Sequence, residues 1–164
     1  EEYGGLSAFK AFTISAASRV GTGNIAGVAL AIKAASPAIR THGISMQLGA
    51  AMHASLQAGE PVEVEELPTL ADSLGGGIGL DNRYTYAITR ELCDQVHLLD
   101  EASIARGIRH AYREERLVIE GAAAVGIAAL LDGLIEPRGP VVVVISGRNI
   151  DIDQHLRVLN GADA

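Results

Sequence analysis

Ser146-Gly147 follows the run Pro140-Val141-Val142-Val143-Val144-Ile145. A β-branched run without polar alternation predicts a strand buried on both faces, as in a parallel sheet. In such sheets ligands collect outside the carboxyl ends of the strands. A serine hydroxyl there can donate to, or accept from, a ring nitrogen, and a glycine lets another group approach the backbone closely. A plain strand-end turn would use the same residues. Glu120 stands beside Gly121 at the head of the apolar stretch Ile119–Leu131. A carboxylate in that position needs a partner, and a helix-end role is the alternative. Gly21-Thr22-Gly23-Asn24 precedes a helical stretch, where free amides and the helix dipole suit a phosphate. Many glycine turns bind nothing, so this turn alone decides little. Gly75-Gly76-Gly77 is a further candidate, with a flexible bend as the other reading.

Other reactive side chains carry less. His42, His53, His97, His110 and His155 show no metal-ligand spacing, and His97 reads as a strand surface or core residue. Arg106, Arg109, Arg113 and Arg116 with Glu114 and Glu115 read as a solvated helix face. Cys93 is the single cysteine and cannot form an internal disulfide, which favours a reducing cytoplasm; a small buried hydrophobe is its expected role.

The elements that must position these residues alternate. Helix is predicted over Ile25–Ala35, stopped by Ser36-Pro37. Thr41–Ser45 can be a strand. Gln47–Ala58 reads as helix, with Gly59 in the place of a C-cap glycine. Glu60–Leu67 reads as exposed connection and Thr69–Leu74 as a short helix. Thr85–Cys93 fits a helix and Gln95–Leu99 a strand. Asp100 caps a helix expected to run to about Arg116, with Ile104, Ile108 and Tyr112 as its apolar stripe. Ile119–Leu131 is apolar all round and so reads as a buried helix. Strands alternating with helices after residue 40 make the class α/β.

The whole composition fits this class. The 164 residues are enough for one domain, 48% are hydrophobic, and aromatics are only 4%, so alanine, glycine and aliphatic side chains must fill the core. A net charge of -7 without a basic run argues against nucleic acid as a partner. The opening Glu1-Glu2 has no signal-peptide character. Ile25–Ile32 is too short to span a bilayer, so no membrane association is expected.

Several strings occur in a recognisable order. They are Gly27-Val28-Ala29-Leu30-Ala31-Ile32-Lys33, Pro37, Ile39-Arg40 and Gly43, then Leu70-Ala71-Asp72-Ser73. Val118-Ile119-Glu120-Gly121-Ala122-Ala123-Ala124-Val125-Gly126 and Val144-Ile145-Ser146-Gly147-Arg148-Asn149-Ile150-Asp151 complete the set. In these, residues 27–164 resemble the C-terminal half of threonine dehydratases and serine racemases, pyridoxal-phosphate enzymes of fold type II. The string from Thr69 to Asn82, with Ser146-Gly147-Arg148-Asn149, most resembles the hydroxyectoine utilization dehydratase branch. The resemblance implies part of a three-layer sandwich with a mainly parallel sheet, the large-domain portion of the tryptophan synthase beta-like fold. It implies pyridoxal phosphate as cofactor, with Ser146 facing its pyridine nitrogen and Gly147 and Glu120 near its ring. It further implies Gly75–Gly77 on the substrate side, and Gly21, Gly23 and Asn24 in the phosphate loop. Related racemases carry acidic metal ligands after the strand matching Thr41–Ser45. Here Ser45–Ala51 has no carboxylate, so no such metal is expected.

The N-terminus departs from this pattern. The family places its Schiff-base lysine far upstream of the phosphate loop, whereas Lys10 stands only eleven positions before Gly21. The other lysine, Lys33, is expected to point away. Residues 7–27 instead resemble a segment of sodium:alanine symporters, and both families share something close to Gly27–Ile32. Residues 1–26 thus read as an extraneous or remodelled segment, and 27–164 as an incomplete dehydratase large domain. The expected function is water elimination and deamination of a hydroxy amino acid, in a C-terminal fragment inactive alone. A non-catalytic cofactor-binding or oligomerisation module is the alternative, and exposed sheet edges predict a homo-oligomer or self-association.

Overall fold

A computed structural model describes residues 32–33 and 35–163. The helix predicted from Ile25 lies almost wholly outside the described residues. The element order is β1 (His42–Met46), α1 (Ala51–Ala58), a 3-10 turn (Asp72–Leu74), α2 (Thr85–Leu92), β2 (Gln95–Leu99), α3 (Glu101–Arg113), α4 (Gly121–Leu131) and α5 (Ile152–Leu159). β1 and β2 pair in parallel, with His42 opposite Gln95 and Met46 opposite Leu99. The fold is therefore α/β with a parallel sheet.

The core forms where β1 and β2 meet α3 and α4. Met46, Leu99, Ile104, Ile108 and Ile119 are among its fully buried side chains. α4 is buried through Gly121–Val125, Ala128 and Ala129, as its apolar composition requires. Small residues bring the α3 and α4 backbones close: a Cβ on Gly107 would lie 2.7 Å from the Ala124 carbonyl oxygen. Asp100 caps α3 by accepting the Ser103 amide at 2.7 Å, and Asp151 caps α5 through the Gln154 amide at 2.8 Å.

Several expected bounds change. The first full helix starts at Ala51 rather than Gln47, because Gln47 still donates to the Leu99 carbonyl and Gly49 turns the chain at φ 75°. Thr69–Leu74 condenses to a 3-10 turn at Asp72–Leu74. α3 ends at Arg113, and Arg116 has φ 59°, so the helix cannot reach it.

Pro140–Ile145, the clearest strand in the sequence, belongs to no ladder among the described residues. Its β-branched side chains still pack: a Cβ on Gly126 would lie 2.7 Å from Val143 Cγ1, and Ile145 rests on the core. Val141 and Val142 stay exposed. Hydrophobic content thus placed the run against α4, but a strand also needs a backbone partner.

The α3 arginines are solvent-accessible, Arg106 and Arg113 being exposed, but they also bind neighbouring segments. Arg109 donates to the Val158 and Ala162 carbonyls at 3.1 Å each and to Asp163 at 3.0 Å, while Arg113 donates to the Leu159 carbonyl. The last carbonyls of a helix lack intrahelical partners and carry its negative dipole end, so cations settle there. Arg106 pairs with Asp132 at 2.6 Å. Arg109→Ala is expected to cost about 2 kcal/mol in a urea titration, since it strips two carbonyls of a charged donor.

Candidate functional site

The carboxyl ends of β1 and β2 gather the candidate residues. Leu99 leads through Asp100 into Glu101, the first residue of α3. The Glu101 carboxylate accepts the Thr69 hydroxyl and the Leu70 amide, both at 2.6 Å. The Leu70 carbonyl in turn lies directly against Gly121, so closely that a Cβ there would overlap it. Residue 121 must therefore be glycine for this approach to exist.

Glu120 precedes Gly121 as the N-cap of α4, its carbonyl accepting the Ala123 and Ala124 amides at 3.1 Å. Its own amide donates to the Gly147 carbonyl at 3.3 Å. Its carboxylate accepts the Asn149 amide at 3.1 Å and lies against Gly147, where a Cβ would collide with it. The carboxylate partner that Glu120 needs is thus a backbone amide after Gly147. Glu120 thus meets Ser146-Gly147, which lies 26 residues on in sequence, at one junction. The half-buried Ser146 hydroxyl makes no side-chain hydrogen bond within the described residues. Gly21, Gly23 and Asn24 lie outside the described residues, as does Lys10.

A cleft of about 340 Å³ is walled by Met46, Leu48, Leu67 and Gly75, and by Thr69 and Asp72, which flank Leu70-Ala71. Gly75 edges the cleft, and Gly76 holds φ 90° to turn the chain there. Ser146 is not among its walls.

Lys33 sits at the other end of the strands. Its ammonium meets Asp94 at 2.7 Å, where the Asp94 amide donates to the Thr41 carbonyl just before β1. Lys33 first, and then the Thr41 amide, hold the Asp94 carboxyl down at about 2. Burial pushes the half-buried Cys93 thiol up, which disfavours a reactive thiolate.

One pairing escaped the sequence. His42 Nδ1 and His97 Nε2 are 3.0 Å apart, and burial first, then His97, lowers the His42 pKa. His97 stands opposite Ile44, two residues along β1 from His42, so the two rings share a face, visible only once β1 and β2 are known to pair in parallel. Among the described residues no group of three or more His, Cys, Asp or Glu side chains is placed to hold a metal. No described helix is long and apolar enough to cross a membrane.

A bare glycine backbone, a half-buried hydroxyl and a held carboxylate at strand ends would suit the edge of a flat heteroaromatic ring. The model of one family, the pyridoxal-phosphate dependent enzymes, matches residues 10–147. The chain belongs to that family. Pyridoxal phosphate is the family's cofactor, and the segment is of the threonine dehydratase type. It is 56% identical over 142 residues to a putative threonine dehydratase of Sinorhizobium fredii, covering 86% of this chain and 43% of that protein. It is 35% identical over 140 residues to an L-threonine ammonia-lyase of Thermotoga maritima, covering 85% of this chain and 34% of that protein. Its fold resembles the processed form of threonine deaminase isoform 2 from Solanum lycopersicum, with TM-score 0.75, 32% identity, and 87% and 43% of the two chains covered. The chain therefore spans less than half the length of the curated relatives it matches.

Proposed function

We propose that this chain is the large-domain portion of a pyridoxal-phosphate-dependent dehydratase of hydroxy amino acids. The observation that carries the reading is the junction of Ser146, Gly147 and Glu120, in a chain whose family match ends at residue 147. When bound, the cofactor supplies an electron sink that lets a substrate Cα proton leave. The Ser146 hydroxyl would face the ring nitrogen. Glu120 would flank the ring, held there by the Asn149 amide. Gly147 keeps a side chain out of this space. Gly75–Gly77 would wall the substrate side, and Gly21, Gly23 and Asn24 would hold the phosphate.

The overall reaction removes the α-proton and β-hydroxyl of the amino acid as water. Hydrolysis then releases ammonia and a 2-oxo acid. Threonine is the first substrate to test, and a hydroxyectoine-derived amino acid is the finer reading, supported by the string from Thr69 to Asn82. The cofactor-anchoring lysine is not supplied by Lys33, which is engaged by Asp94 at the opposite strand ends. The chain alone is thus expected to release no 2-oxobutanoate from L-threonine at saturating pyridoxal phosphate. Turnover that Lys10→Ala abolishes would contradict this and assign the lysine role to residue 10.

The change of likeness inside Gly27–Ile32 supports a junction of two genes at about residues 26–33. An uninterrupted single-family reading through this region in long-read DNA sequence would refute it. Exposed Leu131, Leu134, Val141 and Val142 favour a second reading, an oligomerising module. Sedimentation showing monomer at every concentration would remove that reading.

A further inference from the structure

The carboxylate of Glu101 stands outside the junction yet is tied to its backbone. It takes both the Thr69 hydroxyl and the Leu70 amide at 2.6 Å, and the Thr69 hydroxyl then accepts the Ala71 amide at 3.1 Å. Leu70 and Ala71 are buried, so these amides have little water to fall back on. The held segment presses the Leu70 carbonyl onto Gly121, and the Ala71 nitrogen would lie 3.0 Å from a Cβ there. Gly121 is bonded to Glu120, whose amide and carboxylate reach the Gly147 carbonyl and the Asn149 amide. Each contact in this series is backbone or hydrogen-bonded, and no long free side chain intervenes to absorb a shift.

We infer that Glu101 is a positioning residue for Glu120: it sets the Leu70 carbonyl against Gly121 and so fixes the start of α4 opposite Gly147. The same anchor places Thr69 and Asp72 in the wall of the cleft. The inference rests on the proposed cofactor role of Glu120 only for its functional consequence; the mechanical coupling stands without it.

Amide exchange followed by NMR tests it on the full chain. Glu101→Ala is expected to speed exchange at Leu70 about 10-fold and at Asn149 about 3-fold, leaving Gln154 unchanged as a reference held by Asp151. Pyridoxal phosphate affinity should fall about 5-fold, and Glu101→Gln, which keeps one acceptor oxygen, should recover part of both effects. Faster exchange at Leu70 with Asn149 unmoved would make Glu101 a local staple and overturn the inference. Should Glu101→Ala not fold, Thr69→Val, which removes one of the two Glu101 bonds together with the acceptor of the Ala71 amide, must still show the Asn149 effect; an unmoved Asn149 amide there overturns it equally. A wild-type chain that binds no cofactor would sink the functional reading alone, because the amide readout does not use it.

Discussion

Gly121→Ala is expected to destabilise the fold by about 3 kcal/mol, at the upper end for an added core methyl. The new Cβ would overlap the Leu70 carbonyl and crowd the Ala71 amide, both backbone groups. Backbone cannot swing aside as a side-chain terminus can. Relief requires either the 69–75 segment to leave Glu101 or α4 to move away from the sheet, and both expose buried surface. Gly77→Ala is the matched control. Nothing lies within 4 Å of a Cβ at Gly77, and its φ is not in the left-handed region. There the loss of chain entropy in the unfolded state should leave stability unchanged or raised by about 0.4–1 kcal/mol. Urea unfolding of the two variants beside the wild type measures the contrast. Equal midpoints would mean that the approach of Leu70 to Gly121 is not a packing constraint.

Gly147→Ala should separate the site from the fold. Its Cβ would also collide, but with the carboxylate of Glu120, the far end of a flexible side chain. That carboxylate can rotate outward at small cost, giving up the Asn149 amide. Stability is expected to fall by about 1 kcal/mol, one hydrogen bond exchanged for water. Cofactor affinity is expected to fall more than about 10-fold, since the displaced carboxylate would occupy the space the ring edge needs. Urea unfolding and a fluorescence titration with pyridoxal phosphate give the two numbers. Loss of stability without loss of affinity would place the cofactor elsewhere.

Much of the architecture was legible because local signals agreed with it. Asp100 and the charge pattern behind it marked the start of α3, Gly59 marked the end of α1, and the all-apolar Ile119–Leu131 announced a buried α4. What failed depended on partners distant in sequence. Pro140–Ile145 has strand composition, but a ladder requires a neighbouring backbone that composition does not specify. The arginines of α3 read only as solvated because the carbonyls that bind Arg109 and Arg113 lie in α5 and just after it, 46 residues and more away. Histidines 42 and 97 meet only through the parallel register. Of the candidate site residues, Glu120 and Ser146-Gly147 were singled out from separate local contexts, and the fold adds the contact of Glu120 with Gly147. Glu101 gave no signal of its own beyond a favourable first-turn acid, since its partners Thr69 and Leu70 lie in a different segment.

The most direct test is a pyridoxal phosphate titration of the wild-type chain, Ser146→Ala, and the two lysine variants Lys10→Ala and Lys33→Ala. Removing one hydrogen bond to a ring nitrogen should weaken saturable binding about 10-fold in Ser146→Ala, corresponding to roughly 1.4 kcal/mol. Lys33→Ala should leave the affinity unchanged, because Lys33 sits with Asp94 at the far strand ends. Binding that is indifferent to Ser146 and lost in Lys33→Ala would contradict the proposed site and mark the cofactor as a surface adduct; loss in Lys10→Ala alone would assign the lysine role to residue 10.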